Sequence, residues 1–123
     1  MTVDYRTYIQ SPEWRAVRNR YFNSRLPQIC WACDAPRVSG FHIHHRTYKN
    51  LGKERLMDLV LLCPACHEAV HAHHRFLGPK GKAKGLWYST REYIRASRKR
   101  LGLTSDVAKS PRNRKKRVKS SVS

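Results

Sequence analysis

The residues of this chain that could do chemistry gather between Cys30 and His71. All four cysteines lie there as two Cys-x-x-Cys pairs, Cys30/Cys33 and Cys63/Cys66, with His44, His45, His67 and His71 between and just after them. Four thiolates complete a tetrahedral shell for zinc, and a shell with every position taken is closed to a reacting water. Its task is structural: it ties residue 30 to residue 66, and in a small domain that is folding energy. Two disulfides would be the reading in a secreted chain, whereas in a reducing compartment the paired spacing reads as metal ligation. A mixed shell of three cysteines and His67 is the alternative ligand set.

The histidines need a different account. His67 and His71 are four apart in a stretch that reads as helix, so they project from one side. His44 lies on a short strand that the zinc crosslink brings close to them. Three imidazoles with an open position describe a reactive metal site. The plainer reading, core or surface filler, suits His42, His73 and His74 better than these three. His45 leaves the strand opposite His44 if the strand continues, or shares its cleft if the chain bends. A neutral imidazole, with an ordinary pKa of about 6.5, is a natural general base for activating water. Phosphodiester hydrolysis needs such a base and a cation on the scissile phosphate.

The flanking elements must position these groups. Ser11-Pro12-Glu13 starts a helix expected over about 11–25, capped by Ser11, with Trp14, Val17 and Tyr21 on its buried face. Residues 41–44 alternate as a strand, with Phe41 and Ile43 on one face and His42 and His44 on the other. Leu59 to Leu62 form an apolar run that suggests a partner strand, and Pro64 opens a helix from Ala65 to about His73. Residues 75–88, with three glycines and Pro79, read as a flexible basic loop. Ser89 and Glu92 form a capping-box pattern for a last helix over 89–101, terminated by Gly102. Tyr93, Ile94 and Leu101 are its packing positions; Arg91, Arg95, Arg98, Lys99 and Arg100 are expected outside.

The chain has 123 residues and 26 Lys and Arg against 8 Asp and Glu, a net charge of +18. One small domain is expected over 1–103, with a core at 28–75 and a disordered basic tail at 104–123. Such an excess of positive charge points to a polyanionic partner, with nucleic acid ahead of an anionic membrane. There is no run of apolar residues long enough to span a bilayer. The start, MTVDYRTYIQSPEW, lacks an apolar signal-peptide core, so a cytoplasmic location is expected. Arg46 and Arg75 are candidates to clamp a scissile phosphate. Charge of this kind supplies affinity rather than base reading, so low intrinsic sequence specificity follows.

The order Cys-x-x-Cys, then Ile43-His44-His45-Arg46-Thr47-Tyr48, then Asp58-Leu59-Val60-Leu61-Leu62-Cys63-Pro64-Ala65-Cys66-His67 and His71, resembles the HNH (His-Asn-His) endonucleases. It is most similar to the zinc-knuckle form of bacteriophage genomes and small bacterial nucleases, over about residues 11–75. The resemblance implies a small α+β fold: a ββα-metal core stapled by the four-cysteine zinc site, with helices on either side. It implies His45 as general base, His44, His67 and His71 as ligands of one catalytic divalent metal, and Asp58 at the middle Asn position, bracing the loop and orienting the base. Three imidazoles suit Zn, Ni, Co or Mn, whereas Mg prefers oxygen; the family often works with Mg or Mn. A monomer or weak dimer that nicks double-stranded DNA in a bacterial or phage-infected host cell is the expectation, with phage terminase subunits as candidate partners. The rival readings are a non-catalytic zinc-stabilised nucleic-acid-binding module and an accessory subunit of a phage DNA-packaging machine.

Overall fold

A computed structural model describes residues 4–113. At its centre are two antiparallel strands, β1 (His42–His45) and β2 (Leu59–Leu62), with His44 opposite Val60 and His45 opposite Leu59. All four β2 side chains are fully buried, because both faces of this small sheet are covered. Strand side chains alternate, so Val60 and Leu62 enter a cluster with Val70, Ile94 and the buried cysteines. Leu59 and Leu61 enter another with Tyr8, Trp14, Val17 and Tyr21. An unbroken apolar run is what a strand covered on both faces requires.

Two short helices precede the sheet: α1 (Tyr5–Tyr8) and α2 (Pro12–Phe22). The α2 start is as its sequence predicts: Ser11 Oγ accepts from Trp14 N at 3.1 Å and Pro12 takes the first turn. That cap is worth about 1 kcal/mol. Trp14, Val17 and Tyr21 form its buried face. Tyr21 OH donates to Pro27 O at 2.6 Å and accepts from Trp31 Nε1 at 2.8 Å, tying α2 to the first knuckle. α1 was not legible in the sequence, since its four residues show no period of their own.

After β2 come α3 (Pro64–Phe76), α4 (Pro79–Lys84) and α5 (Leu86–Arg100). The expected basic loop at 75–88 is therefore mostly helical, and α5 begins before Ser89. Gly78 and Gly85, with φ of 56° and 92°, are the helix breaks. Gly81 lies inside α4 because α3 presses against it: a Cβ there would sit 2.8 Å from His74 O. Ser89 is no cap but a buried residue whose Oγ meets His74 Nδ1 at 2.7 Å. Gly102 ends α5 as expected, in the left-handed region at φ 69°.

Two positions at the C-terminal end of α5, Arg98 and the capping Leu101, reverse their expected environments. Leu101 is 48% exposed, and Arg98 is 1% exposed, fully inside. Arg98 Nη1 donates to Asp34 Oδ1 at 2.6 Å and to Trp31 O at 3.0 Å. Ser110 Oγ donates to the other Asp34 oxygen at 2.7 Å, and Asn113 Oδ1 accepts from Gln28 N at 3.1 Å. Residues 104–113 are thus docked on the first knuckle, with Val107, Ser110 and Asn113 buried. The domain extends past the expected boundary at 103; the rest of the expected tail, 114–123, lies outside the described residues. The fold is the small α+β arrangement expected, a ββα core with flanking helices and a cysteine staple. No helix among the described residues is long and apolar enough to cross a membrane.

Candidate functional site

The four sulfurs come from two tight turns. Cys30 and Cys33 flank a turn that Asp34 closes in the left-handed region at φ 64°. Cys63 caps α3, its Sγ accepting from Cys66 N at 3.4 Å. One sulfur from each cysteine lies within 4.8 Å of the others, and Cys33 and Cys63 sulfurs are 3.9 Å apart. Four Zn–S bonds of about 2.3 Å at tetrahedral angles place sulfurs roughly 3.8 Å apart, so the cluster fits zinc. The Cys66 thiol donates to Cys30 and draws its pKa down to about 5, against the opposing effect of burial. The same bond, then burial, pushes Cys66 up, and burial pushes Cys33 up to about 11. Sulfurs this crowded do not ionise together without a cation to hold them.

On the α3 side of the sheet, His44, His67 and His71 converge. Ring centroids are 5.1 Å apart from His44 to either helical histidine and 4.9 Å between those two. One nitrogen from each lies within 4.8 Å of the others. His44 is 1% exposed; its Nε2 meets Thr90 Oγ1 of α5 at 2.9 Å, while its Nδ1 is buried without a partner. Thr90 thereby fixes the ring, and in the tautomer whose Nε2–H donates to Thr90 Oγ1 the unpartnered Nδ1 is a free lone pair, as a metal ligand requires. Burial, then the neighbouring His67 and His71, pushes His44 down to about 2. Burial and then His42 and His71 push His67 down to about 4, and burial lowers His71 as well. All three are neutral donors at neutral pH. The four-cysteine cluster and the separate histidine triad are consistent with a structural zinc site and a catalytic divalent-metal site.

β1 continues through His45, so His45 emerges on the face opposite His44. Its Nε2 meets Glu54 Oε2 at 2.8 Å. Trp14 stacks on the ring with centroids 4.8 Å apart, and Tyr5 and Tyr48 pack at 6.1 and 5.6 Å. Glu54 is itself held, its Oε1 accepting from Tyr8 OH at 2.7 Å and its carbonyl accepting from Arg20 Nη2. The ring and the carboxylate are both almost wholly shielded from solvent.

Asp58 joins neither cluster. Its Oδ2 accepts from Asn50 Nδ2 at 2.9 Å and Arg55 N at 3.0 Å, and its Oδ1 from the Arg55 guanidinium at 3.2 Å. Burial works to raise this carboxyl, but those donors outweigh it and hold the pKa below the ordinary value. The carboxylate is spent on the 46–58 loop. Arg46 is anchored too, 4.1 Å over the Trp87 ring with its guanidinium donating to Met57 O. Arg75 is exposed at the end of α3.

Compared with known protein families, residues 28–73 match the HNH endonuclease family. These residues are an HNH endonuclease domain. No curated protein and no solved structure matches the chain. The HNH domain holds both knuckles, both strands and most of α3, so α1, α2 and α5 lie outside the match. Yet those flanking helices supply Tyr8, Trp14 and Thr90 to the two histidine environments. Glu54, Tyr8 and Thr90 escaped the sequence reading. For Glu54 a signal existed: it is the only acidic residue between Asp34 and Asp58. A threonine or tyrosine hydrogen-bonding across the fold leaves no such mark.

Proposed function

We propose that this HNH domain is a metal-dependent DNA endonuclease with His45 as general base. The observation that carries the reading is the buried His45–Glu54 pair beside a histidine triad with an unpartnered nitrogen. Glu54 accepts the Nε2 proton of His45, which holds the ring in one tautomer and leaves Nδ1 to take a proton from water. The carboxylate then balances the imidazolium that forms, as an acidic partner does for other catalytic histidines. A divalent cation held by His44, His67 and His71 would stabilise charge on the scissile phosphate and on the leaving oxygen.

His44 and His45 are the last two residues of β1 on opposite faces, so a phosphate that uses both has to lie across the strand end. Water attacks phosphorus in line as His45 accepts its proton, and the bond to the 3′ oxygen breaks, leaving 5′-phosphate and 3′-hydroxyl ends. Asp58 acts indirectly, keeping the 46–58 loop closed over the base. One site cuts one strand, so nicking is the activity of a monomer. Association with terminase subunits is a separate proposal, tested by copurification with them.

One observation favours a second assignment of the base. His42 is exposed and its ring is 4.7 Å from His67, on the metal face. A plasmid-nicking assay with added Mn, Mg or Ni separates the two. His45→Ala is expected to abolish nicking while His42→Ala retains most of it. The reverse pattern moves the role to His42, and inactivity of the folded, metal-loaded wild type sinks the nuclease reading.

A further inference from the structure

Two basic stretches far apart in the chain face each other across one groove. It has room for about 450 Å³ and runs between the loop after β1 and the corner where α4 meets α5. Arg46, Lys49 and Arg55 line one wall; Lys84 and Trp87 line the other. No acidic residue lines it. Among the described residues Lys49 and Lys84 have no ion-pair partner, and Arg55 shares the Asp58 carboxylate with the backbone. Four cations held around one groove repel each other in the free protein, and a polyanion relieves that repulsion.

The groove also has a link to the metal face. Trp87 and Thr90 are three apart on α5 and share a face. Thr90 bonds to His44, and Arg46, two residues after His44 in the chain, lies over Trp87. The helix that forms one wall of the groove is thus the same helix that touches the histidine triad, through Thr90. Arg46 is held over Trp87, which gives the groove one anchored cation beside the exposed Lys49 and Lys84. α5 opens into it at Gly85 with no side-chain cap, adding free N–H groups.

We infer that this groove is the track for one DNA strand beside the metal centre, gripping its sugar-phosphate backbone on one side of the bond to be cut. The assignment to DNA rests on the nuclease reading above; the preference for phosphate comes from the groove itself. Cations and backbone N–H groups hold phosphates without reading bases.

The test is duplex DNA binding by the zinc-loaded chain without other divalent metal, followed by fluorescence anisotropy across a salt series. K49Q/K84Q removes two exposed cations from the groove; R95Q/K99Q removes two from the exposed face of α5 and controls for net charge. The groove variant should lose roughly 1.8 from the salt slope and roughly ten- to thirtyfold in affinity near 0.15 M salt. The control should change much less. Equal losses in the two variants overturn the groove, as does tighter binding of duplex RNA than of DNA for its assignment to DNA. A groove variant that loses binding while the metal-loaded wild type fails to nick leaves the groove standing and removes the nuclease reading. A wild type that nicks while both variants bind alike does the opposite.

Discussion

His44 and His45 are neighbours in the chain and belong to different environments. His44 faces α3 and α5, where it meets two further imidazoles and a threonine. His45 faces α1 and α2, where it meets a carboxylate and a wall of aromatic rings. One face gathers neutral lone pairs, the chemistry of a ligand set. The other couples a ring to an acceptor, the chemistry of proton transfer. A two-stranded sheet with both faces covered lets successive residues serve separate tasks a single bond step apart.

The bluntest way to break the comparison is to remove what both faces stand on. Cys30→Ser should cost the cooperative fold and both sites with it, since structural zinc contributes about 10–16 kcal/mol in small domains. Circular dichroism melts with zinc analysis would show it, and a variant that melts like wild type would mean that the sulfurs are dispensable. The faces separate at the next level. His45→Ala should lower nicking by about 10²–10⁴-fold with the affinity for Mn or Ni unchanged. His71→Ala should instead weaken that metal affinity, as read by calorimetry. Subtler still are the supports. Thr90→Val should weaken metal binding about 10- to 100-fold through the loosened His44 ring. Glu54→Gln should leave metal affinity alone and reduce kcat, with KM little changed. If Glu54→Gln shifts metal affinity as much as Thr90→Val does, the two faces are not functionally separate.

The smallest effect concerns the loop that joins the faces. The Asp58 carboxyl is held below its ordinary pKa of 3.8 in the fold, so its stabilisation is present above that value. It is lost as pH falls through the native value. Asp58→Asn should therefore flatten the acid limb by lowering stability at neutral pH, where the carboxylate contributes, and changing it little at low pH, as acid titration followed by tryptophan fluorescence would register. An unchanged acid limb would mean that the carboxylate is not ionised in its loop.

The metal-bearing half of the molecule was largely legible because its signals are short-range. Cysteine spacing, the i, i+4 histidines on α3, the apolar run of β2 and the Ser11 cap each declare themselves within a few residues. What was hidden depends on contacts across the fold. α4 contains two glycine boundaries and an internal Gly81, which reads as a loop until α3 is seen pressing on it. Arg98 looked like surface because nothing local predicts an aspartate waiting on the first knuckle. The Glu54–His45 pair joins residues nine apart through a loop with no regular geometry. The basic stretches around Lys49 and Lys84 were visible singly, and only the fold shows them as two walls.

The buried Arg98 has a consequence for how the two metal sites depend on each other. α5 grips the sulfur cluster and its knuckle through Tyr93 OH toward Cys66 Sγ, Ser97 Oγ on Ala32 O, and Arg98 on Asp34 and Trp31 O. Thr90, about 10 Å up the same helix from Ser97, grips His44. The helix works as a rigid lever with its fulcrum on the sulfur knuckle and its tip on an imidazole. Metal stripped from the cysteines should thus be felt as misalignment at the histidines, although no ligand is shared.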